Sequence, residues 1–461
     1  METREVLQNK MPKIVVLDDD PTGIQTIYGV SVYTDWSVKS IDSGFREKEQ
    51  MFFILTNSRS FSEEETLRVH STIAARLARV SQQRGQDFLV VCRGDSTLRG
   101  HYLLEPETIA QGLEKGMGWT VDGEIYCPCF FECGRVTVGN IHYLKEGNNR
   151  IPVSETEFAK DKTFGYKNAH LGRYIEEKTH GRCKAGECLY LPAANADGKV
   201  DWELTRLLLH QAEKRRKIVI NAASYEELEQ FCKVLLTELQ CGKHFVIRSA
   251  ASFVKSIGGF KEQALLNGDN LKMPGNRNGG LILVGSYVEK TTVQLENLKK
   301  SGLPFHYIEF EVANAITGKG LRKEVEHVRS EAEKRLECGE NVVIYTSRNV
   351  VVCNTLIPEQ MLQFSVEISK ALVDIIREIQ IPPSFLIAKG GITSSDTGTR
   401  ALGVKRARVM GQALPGVPVW LTGRGESRFP GLPFIIFPGN VGDENSLRVL
   451  AEKIFAVVEK E

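Results

Sequence analysis

The chain has 461 residues, enough for two or three domains with sizeable cores, and its 42% hydrophobic and 25% charged residues are the balance expected of a soluble globular protein. A net formal charge of +1 excludes a broad field drawing the chain onto nucleic acid or a membrane surface. No run approaches the ~20 apolar residues that span a bilayer.

The opening METREVLQNKMPK is charged and lacks the apolar core of a signal peptide, so residues 1–10 read as a tail and the expected compartment is the cytoplasm. The ten cysteines are then expected as free thiols. Cys127, Cys129 and Cys133 are spaced C-x-C-x3-C rather than C-x2-C, and no second Cys/His cluster follows, so no metal site is expected. Strands are predicted at Lys13–Leu17, Met51–Thr56 and Phe88–Cys92. Between the last two, Ser62 and Glu65 have capping-box spacing, and Leu67, His70, Ile73, Ala74, Leu77 and Val80 share one face of a helix over Ser62–Gln83. Strand, helix, strand implies a parallel sheet. Further strands follow at Ile218–Ala222 and Phe245–Ile247. The Gly-, Asn- and Pro-rich stretch 266–279 reads as a linker between a domain over 11–265 and a second over 280–461. There the pattern restarts: strand Leu281–Val284, helix Glu289–Lys300, strand Val342–Tyr345, helix Met361–Ile379, then strands Phe385–Ala388, Val417–Leu421 and Phe434–Phe437. The expected class is α/β with two domains, each a mainly parallel sheet flanked by helices.

Parallel sheets bind ligands beyond the carboxyl ends of their strands. In the first half those ends are charged. Strand one runs into Asp18, Asp19, Asp20, Pro21, Thr22 and Gly23; strand two into Asn57, Ser58, Arg59 and Ser60; strand three into Arg93, Gly94, Asp95, Ser96, Thr97, Leu98, Arg99 and Gly100; a further loop holds Gly134–Thr137. Three adjacent carboxylates repel one another unless donors, a cation or a substrate hydroxyl offsets them. Alternating Asp, Arg and hydroxyl groups suit a small polyhydroxy acid, because Arg forks onto a carboxylate while Asp takes sugar hydroxyls. In the second half the strand ends carry glycine: Gly285–Ser286, then Lys389, Gly390, Gly391, Ile392, Thr393 and Ser394 with a helix expected near Ser395, then Pro438–Asp443. Such loops let backbone N–H groups approach a phosphate. No G-x4-G-K-[ST] loop is present, and no G-x-G-x-x-G follows the first strand.

In this order the motifs resemble the four-carbon acid sugar kinase family over nearly the whole chain, from about Lys13 to about Leu447. The carriers are D-D-x-T-G at Asp19–Gly23, N-S-R at Asn57–Arg59, D-S-T-x-R-G at Asp95–Gly100, the P-x-F…G-R-x-T loop at Pro128–Thr137 and E-T-E-F-A at Glu155–Ala159. They continue with G-S at Gly285–Ser286, G-G-x-T at Gly390–Thr393, P-G-V-P at Pro415–Pro418 and P-G-N-x-G at Pro438–Gly442. The resemblance implies an N-terminal substrate domain, a C-terminal nucleotide domain, an active site in the cleft between them, and phosphorylation of a terminal hydroxyl on a tetronate, 3-oxo-tetronate or 3-oxo-isoapionate. It implies that Ser286, Gly390, Gly391, Ile392, Thr393 and Gly439 contact ATP, and that Asp19 or Asp20, Arg59 and the loop Arg93–Thr97 contact the substrate. The family usually has Lys where Arg93 stands, and Cys and Ser where Tyr287 and Val288 stand. Asp18, Pro21 and the segment Asp161–Arg182 also depart from the commoner pattern.

The expected mechanism has Mg²⁺ bridging the phosphates of ATP and Asp19 or Asp20 orienting or deprotonating the substrate hydroxyl, with Asp95 in reserve. Arg59, Arg93 and Arg99 hold the carboxylate or the transferring phosphoryl, and Ser96, Thr97 and Arg135 complete the substrate set. No nucleic-acid or membrane partner is expected; homo-oligomerisation is left open. Two rival readings remain at this stage, a nucleotide-cofactor oxidoreductase and a non-catalytic nucleotide-binding protein.

Overall fold

A computed structural model describes residues 11–147, 149–195, 197–286, 288–313, 320–347, 358–439 and 441–456, with backbone only at 358–365 and Ile392. The expected tail, Tyr287 and Asn440 lie outside these residues. The chain divides into two compact units, one running to Gly23 and over Val30–Glu262, the other comprising Ile24–Gly29 and the chain from Gln263 onward.

The strands of the first unit are β1 (Lys13–Asp18), β2 (Ser31–Tyr33), β3 (Met51–Leu55), β4 (Phe88–Arg93), β5 (Gly123–Cys127), β6 (Arg135–Val138), β7 (Ile141–Glu146), β8 (Asn149–Pro152), β9 (Leu189–Tyr190), β10 (Arg216–Val219) and β11 (Phe245–Ser249). Its helices are α1 (Val38–Arg46), α2 (Glu63–Arg84), α3 (Leu104–Met117), α4 (Leu171–Lys178), α5 (Trp202–Gln211), α6 (Tyr225–Gln240) and α7 (Ala251–Ile257). A parallel sheet runs β2-β3-β1-β4-β11-β5-β10-β9. β1 (KIVVLD) and β3 (MFFIL) are buried throughout, the unbroken apolar run that a sheet covered on both faces requires. The register sets Asp18 beside Leu55 on one side and Arg93 on the other, so the loops after β1, β3 and β4 leave the sheet at one level. On one face α2 and α3 pack closely: a Cβ at Gly112 or Gly116 would lie 2.5 Å from the Cβ of Ala74 or Ala78. Ser62 caps α2 by accepting from the Glu65 N–H at 3.2 Å. The predicted apolar face of α2 is buried except Leu67, which is 45% exposed; Thr66 and Val69 are buried as well. β6, β7 and β8 form a separate antiparallel sheet that no periodicity announced.

The second unit contains β12 (Leu281–Val284), β13 (Phe305–Phe310), β14 (Asn341–Thr346), β15 (Leu386–Lys389), β16 (Arg406–Leu414), β17 (Val417–Thr422) and β18 (Pro433–Phe437). Its helices include α8 (Glu289–Lys300), α9 (Leu321–Glu337), α10 (Pro358–Glu378), α11 (Gly391–Asp396) and α12 (Ser446–Phe455). The strands run β13-β14-β12-β15-β18 in parallel, and β17 and β16 follow antiparallel. Leu266 and Leu271, within the stretch read as a linker, are buried in this unit's core. The helix expected near Ser395 begins at Gly391, so the glycine pair of the G-G-x-T motif leads directly into it.

Candidate substrate and nucleotide sites

At the carboxyl end of β1, Asp18 and Asp19 are each 2% exposed, in spite of their charge. Their partners come from the neighbouring strand ends. Arg59 forks onto Asp19, with Nη2 2.8 Å from Oδ1 and Nε 3.1 Å from Oδ2, and its Nη1 reaches Asp20 Oδ2 at 3.3 Å. Arg93 Nη1 lies 3.3 Å from Asp18 Oδ1 and 3.8 Å from Asp19 Oδ1. Asp20 also accepts from the Thr22 hydroxyl at 2.6 Å and the Thr22 N–H at 2.7 Å. Gly23 is required by close approach: a Cβ there would sit 2.1 Å from the Asp18 carboxylate oxygens.

Burial divides these carboxyls. It pushes Asp18 up to about 7, against the pull of Arg93 and with the charges of Asp19 and Asp20 adding to it. Asp19 is raised too, chiefly by burial, which Arg59 opposes and Glu105 reinforces. For Asp20 burial is outweighed by Arg59 and the two Thr22 hydrogen bonds, which hold it below the usual carboxylate range. Asp95 is likewise held low, as Arg59, Arg99 and Thr97 together overcome its burial. Three aspartates in a row thus reach two different states, the condition for dividing acid and base roles among like groups.

The loop after β4 is a second cluster. Arg99 Nε donates to Asp95 Oδ2 at 2.9 Å, Thr97 donates to the same oxygen, and Arg99 Nη1 lies 3.7 Å from Asp161. Ser96 contributes its carbonyl to His142 Nε2 at 2.8 Å. Arg135 stands apart from the aspartates: its guanidinium carbon is 5.8 Å from the Phe158 ring centroid, and that of Arg99 is 5.0 Å from the same ring. The structure therefore brings together Asp19, Asp20, Arg59 and Arg93 as one group and Asp95, Thr97 and Arg99 as another; Arg59 links them electrostatically, since it also acts on Asp95.

Sequence reasoning missed what holds these loops. Tyr166 and Tyr174, from the segment that departs from the family pattern, are buried and donate to the Thr97 and Leu98 carbonyls, each at 2.7 Å. Beneath the loops lies the pair Arg248–Glu105, at 3.0 Å with both side chains 2% exposed. An arginine inside the apolar strand FVIRS was the available signal for it.

In the second unit, the ends of β12, β15 and β18 converge, and among the described residues there they do so without charge pairs. A Cβ at Gly285 would lie 2.3 Å from Thr393 Oγ1; one at Gly390, where φ is +129°, would lie 3.0 Å from that oxygen and 3.3 Å from Ser286 Cβ. A Cβ at Gly439 would be 3.5 Å from Ser286 Oγ. Ser286, Gly390, Thr393 and Gly439 are thus one cluster. Gly391 faces open space, with nothing within 4 Å of where its Cβ would be. Lys389, the last residue of β15, was not singled out from sequence. Fully buried, it donates to the Pro438 carbonyl at 2.7 Å and lies 3.4 Å from that of Gly439, with Nζ 3.9 Å from the Phe437 ring centroid. Burial, with Lys290 adding, lowers it to about 7. Among the described residues no three His, Cys, Asp or Glu side chains are arranged to hold a metal ion.

Residues 14–257 match the model of a sugar-binding N-terminal domain and residues 281–447 that of a nucleotide-binding C-terminal domain. The chain belongs to the four-carbon acid sugar kinase family. In this family member the charged strand ends therefore lie in the sugar-binding domain and the glycine cluster in the nucleotide-binding one. Among the solved structures similar to it in fold are two crystal structures. One is of Haemophilus influenzae protein HI1011, with a TM-score of 0.64 at 16% identity, over 96% of this chain and 100% of that one. The other is of the "putative tRNA synthase" from Salmonella typhimurium LT2, with a TM-score of 0.68 at 17% identity, over 97% of this chain and 100% of that one. At such identities the likeness speaks for the fold alone. No curated protein matches the sequence. Among the described residues no helix is long and apolar enough to cross a membrane.

Proposed function

We propose that this protein is an ATP-dependent kinase acting on a terminal hydroxyl of a small four- to five-carbon acid sugar, such as a tetronate, 3-oxo-tetronate or 3-oxo-isoapionate. The observation that carries this reading is the set of buried carboxylates held against Arg59 and Arg93 at the strand ends of the sugar-binding domain. A substrate with one carboxylate and several hydroxyls exchanges partners with such a set without leaving a charge unpaired. Asp19, raised in pKa and clamped in orientation, is the candidate acceptor for the hydroxyl proton; Asp95, held ionised by Arg59 and Arg99, and Asp20 take sugar hydroxyls. Arg59 and Arg93 read the carboxylate or steady the transferring phosphoryl, and Ser96, Thr97, Arg99 and Arg135 complete the substrate wall.

ATP is assigned to Ser286, Gly390, Gly391, Ile392, Thr393 and Gly439, at strand ends that approach one another closely at Gly285, Gly390 and Gly439. Among the described residues no three His, Cys, Asp or Glu side chains are arranged to hold Mg²⁺, and both oxygens of Asp19 are taken by Arg59. Mg²⁺ would be held by the nucleotide's phosphates, whose charge it would neutralise. The cytoplasm suits a chain whose nine described cysteines are all free. The test is ADP release, with ATP and Mg²⁺, across a panel of four- and five-carbon sugar acids and their 3-oxo forms. Turnover confined to acid sugars supports the proposal; no ADP release with any of them overturns it, and hydride transfer to NAD(P) would replace it.

A further inference from the structure

Arg248 and Glu105, two charged side chains buried as completely as Asp18 and Asp19 in the sugar-binding domain's site region, are ones for which the proposed chemistry has no use. Arg248 lies in β11, paired in register with Cys92 of β4 and Tyr126 of β5. Its guanidinium passes directly beneath the loop after β4: a Cβ at Gly94 would lie 1.9 Å from Nη1, and one at Gly100 3.2 Å from Nη2. Nη2 also lies 3.5 Å from the Arg99 carbonyl. Glu105, in the first turn of α3, takes Arg248 Nη1 on Oε2 at 3.0 Å and the Ser58 hydroxyl on Oε1 at 2.6 Å. Ser58 Oγ lies 3.1 Å from Thr56 Oγ1, which donates to the Asp18 carbonyl at 2.9 Å. One chain of contacts therefore ties the loops after β1, β3 and β4 together, and Arg59 is the residue next to Ser58.

We propose that Arg248 and Glu105 are a positioning pair for the sugar-acid site, locking the three strand-end loops in register and so holding Arg59 against Asp19. The inference rests on the reading of Asp19 and Arg59 as substrate groups. The polar atoms of the pair are engaged with each other, with the Ser58 hydroxyl and with the Arg99 carbonyl, so the pair acts through the loops it holds. Charge points the same way. The charged groups acting on Asp19 are Arg59, Glu105, Arg248 and Arg93, with Asp18 and Asp20 beside it in sequence; Glu105 raises the Asp19 pKa and Arg248 lowers it. Around Glu105 stand Arg248, His70 and His101. The pair is thus placed to set both where Asp19 sits and when it ionises.

The variants are Glu105→Gln, which keeps the shape and drops the charge, and Ser58→Ala, which cuts the link to the Arg59 loop and leaves the ion pair. Two measurements separate this inference from the kinase reading. The first needs no substrate: a carbon-13 NMR titration of the Asp19 carboxyl in the wild type and in Glu105→Gln. Losing a neighbouring negative charge should move the Asp19 midpoint to lower pH, and an unmoved midpoint overturns the inference whatever the substrate is. The second is kcat and KM with whichever acid sugar the panel identifies. Ser58→Ala should raise the KM for the acid sugar by about tenfold with ATP affinity unchanged, as expected for misplaced binding groups. Wild-type kinetics within twofold in Ser58→Ala would overturn the positioning role while leaving the kinase reading intact. Should Glu105→Gln fail to fold, the Asp19 midpoint in Arg248→Lys against wild type replaces it; a conservative cation should leave it in place, and a change as large as a lost charge would count against the pair.

Discussion

The strand ends of the two units solve different problems with different chemistry. In the sugar-binding domain, ionisable side chains are buried and paired: Arg59 on Asp19, Arg93 on Asp18, Arg99 on Asp95. In the nucleotide-binding domain the strand ends meet through close backbone approaches at Gly285, Gly390 and Gly439, and the fully buried Lys389 rests its amino group on carbonyl oxygens. A small acid with several hydroxyls must be read group by group, which takes side chains of both signs. A polyphosphate presents similar oxygens all along its length, so aimed backbone N–H groups suffice.

The sharpest way to break this contrast is to neutralise one charge in the first unit. Asp19→Asn should lower kcat by roughly 10²–10⁴-fold, the span of a lost general base. ATP affinity should hold, and Arg59→Ala should mainly raise the KM for the acid sugar. Steady-state kinetics in both substrates check this; near-normal turnover in Asp19→Asn would remove the aspartate from the chemistry.

Glycine substitutions should separate the units next. Gly94→Ala forces a Cβ to 1.9 Å from Arg248 Nη1, and thermal or urea unfolding should show a loss of about 1–3 kcal/mol or more, the usual cost of overpacking. Gly391→Val, in open space, should keep the unfolding midpoint and lose nucleotide binding. Equal destabilisation by both would show that the two glycines play one structural part.

The units should also answer pH in opposite senses. Asp18 is raised from 3.8 to about 7, so between those values the folded state holds a proton that the unfolded state has lost. Its contribution to stability therefore falls as pH rises from about 4 to about 7. Lys389 is lowered from 10.5 to about 7, so between those values the unfolded state holds the extra proton and stability climbs with pH. The slope per group is at most ~1.4 kcal/mol per pH unit. Asp18→Asn should flatten the acid-side fall and Lys389→Met the alkaline-side rise, read from denaturant midpoints across pH 4–10. An unchanged alkaline limb in Lys389→Met would mean the lysine stays charged on its two carbonyls and the Phe437 ring.

The smallest effect concerns the segment that departs from the family pattern. Tyr166→Phe removes the hydrogen bond to the Thr97 carbonyl and should cost about 1 kcal/mol, with a modest rise in the acid sugar's KM. An unchanged KM would release this segment from any part in holding the substrate loop.

Much of the scaffold was legible in the chain. KIVVL, MFFIL and FLVV are apolar runs that only a sheet buried on both faces accommodates, and the Asp, Arg and Gly residues that follow the strands stand out against them. β2 was not legible, because three residues carry no period, nor was the sheet of β6–β8, whose strands are partly exposed and mixed in composition. The register of β1 against β3 and β4 was a matter of tertiary structure, and with it the fork of Arg59 onto Asp19 and its reach to Asp20. So was the meeting of Arg248 with Glu105, 143 positions apart, and of Lys389 with the Pro438 carbonyl. Apolar periodicity is local and survives in the one-dimensional string. Which buried charge finds which partner depends on strand order and register, and those arise only when the whole sheet closes and each desolvated group must be satisfied.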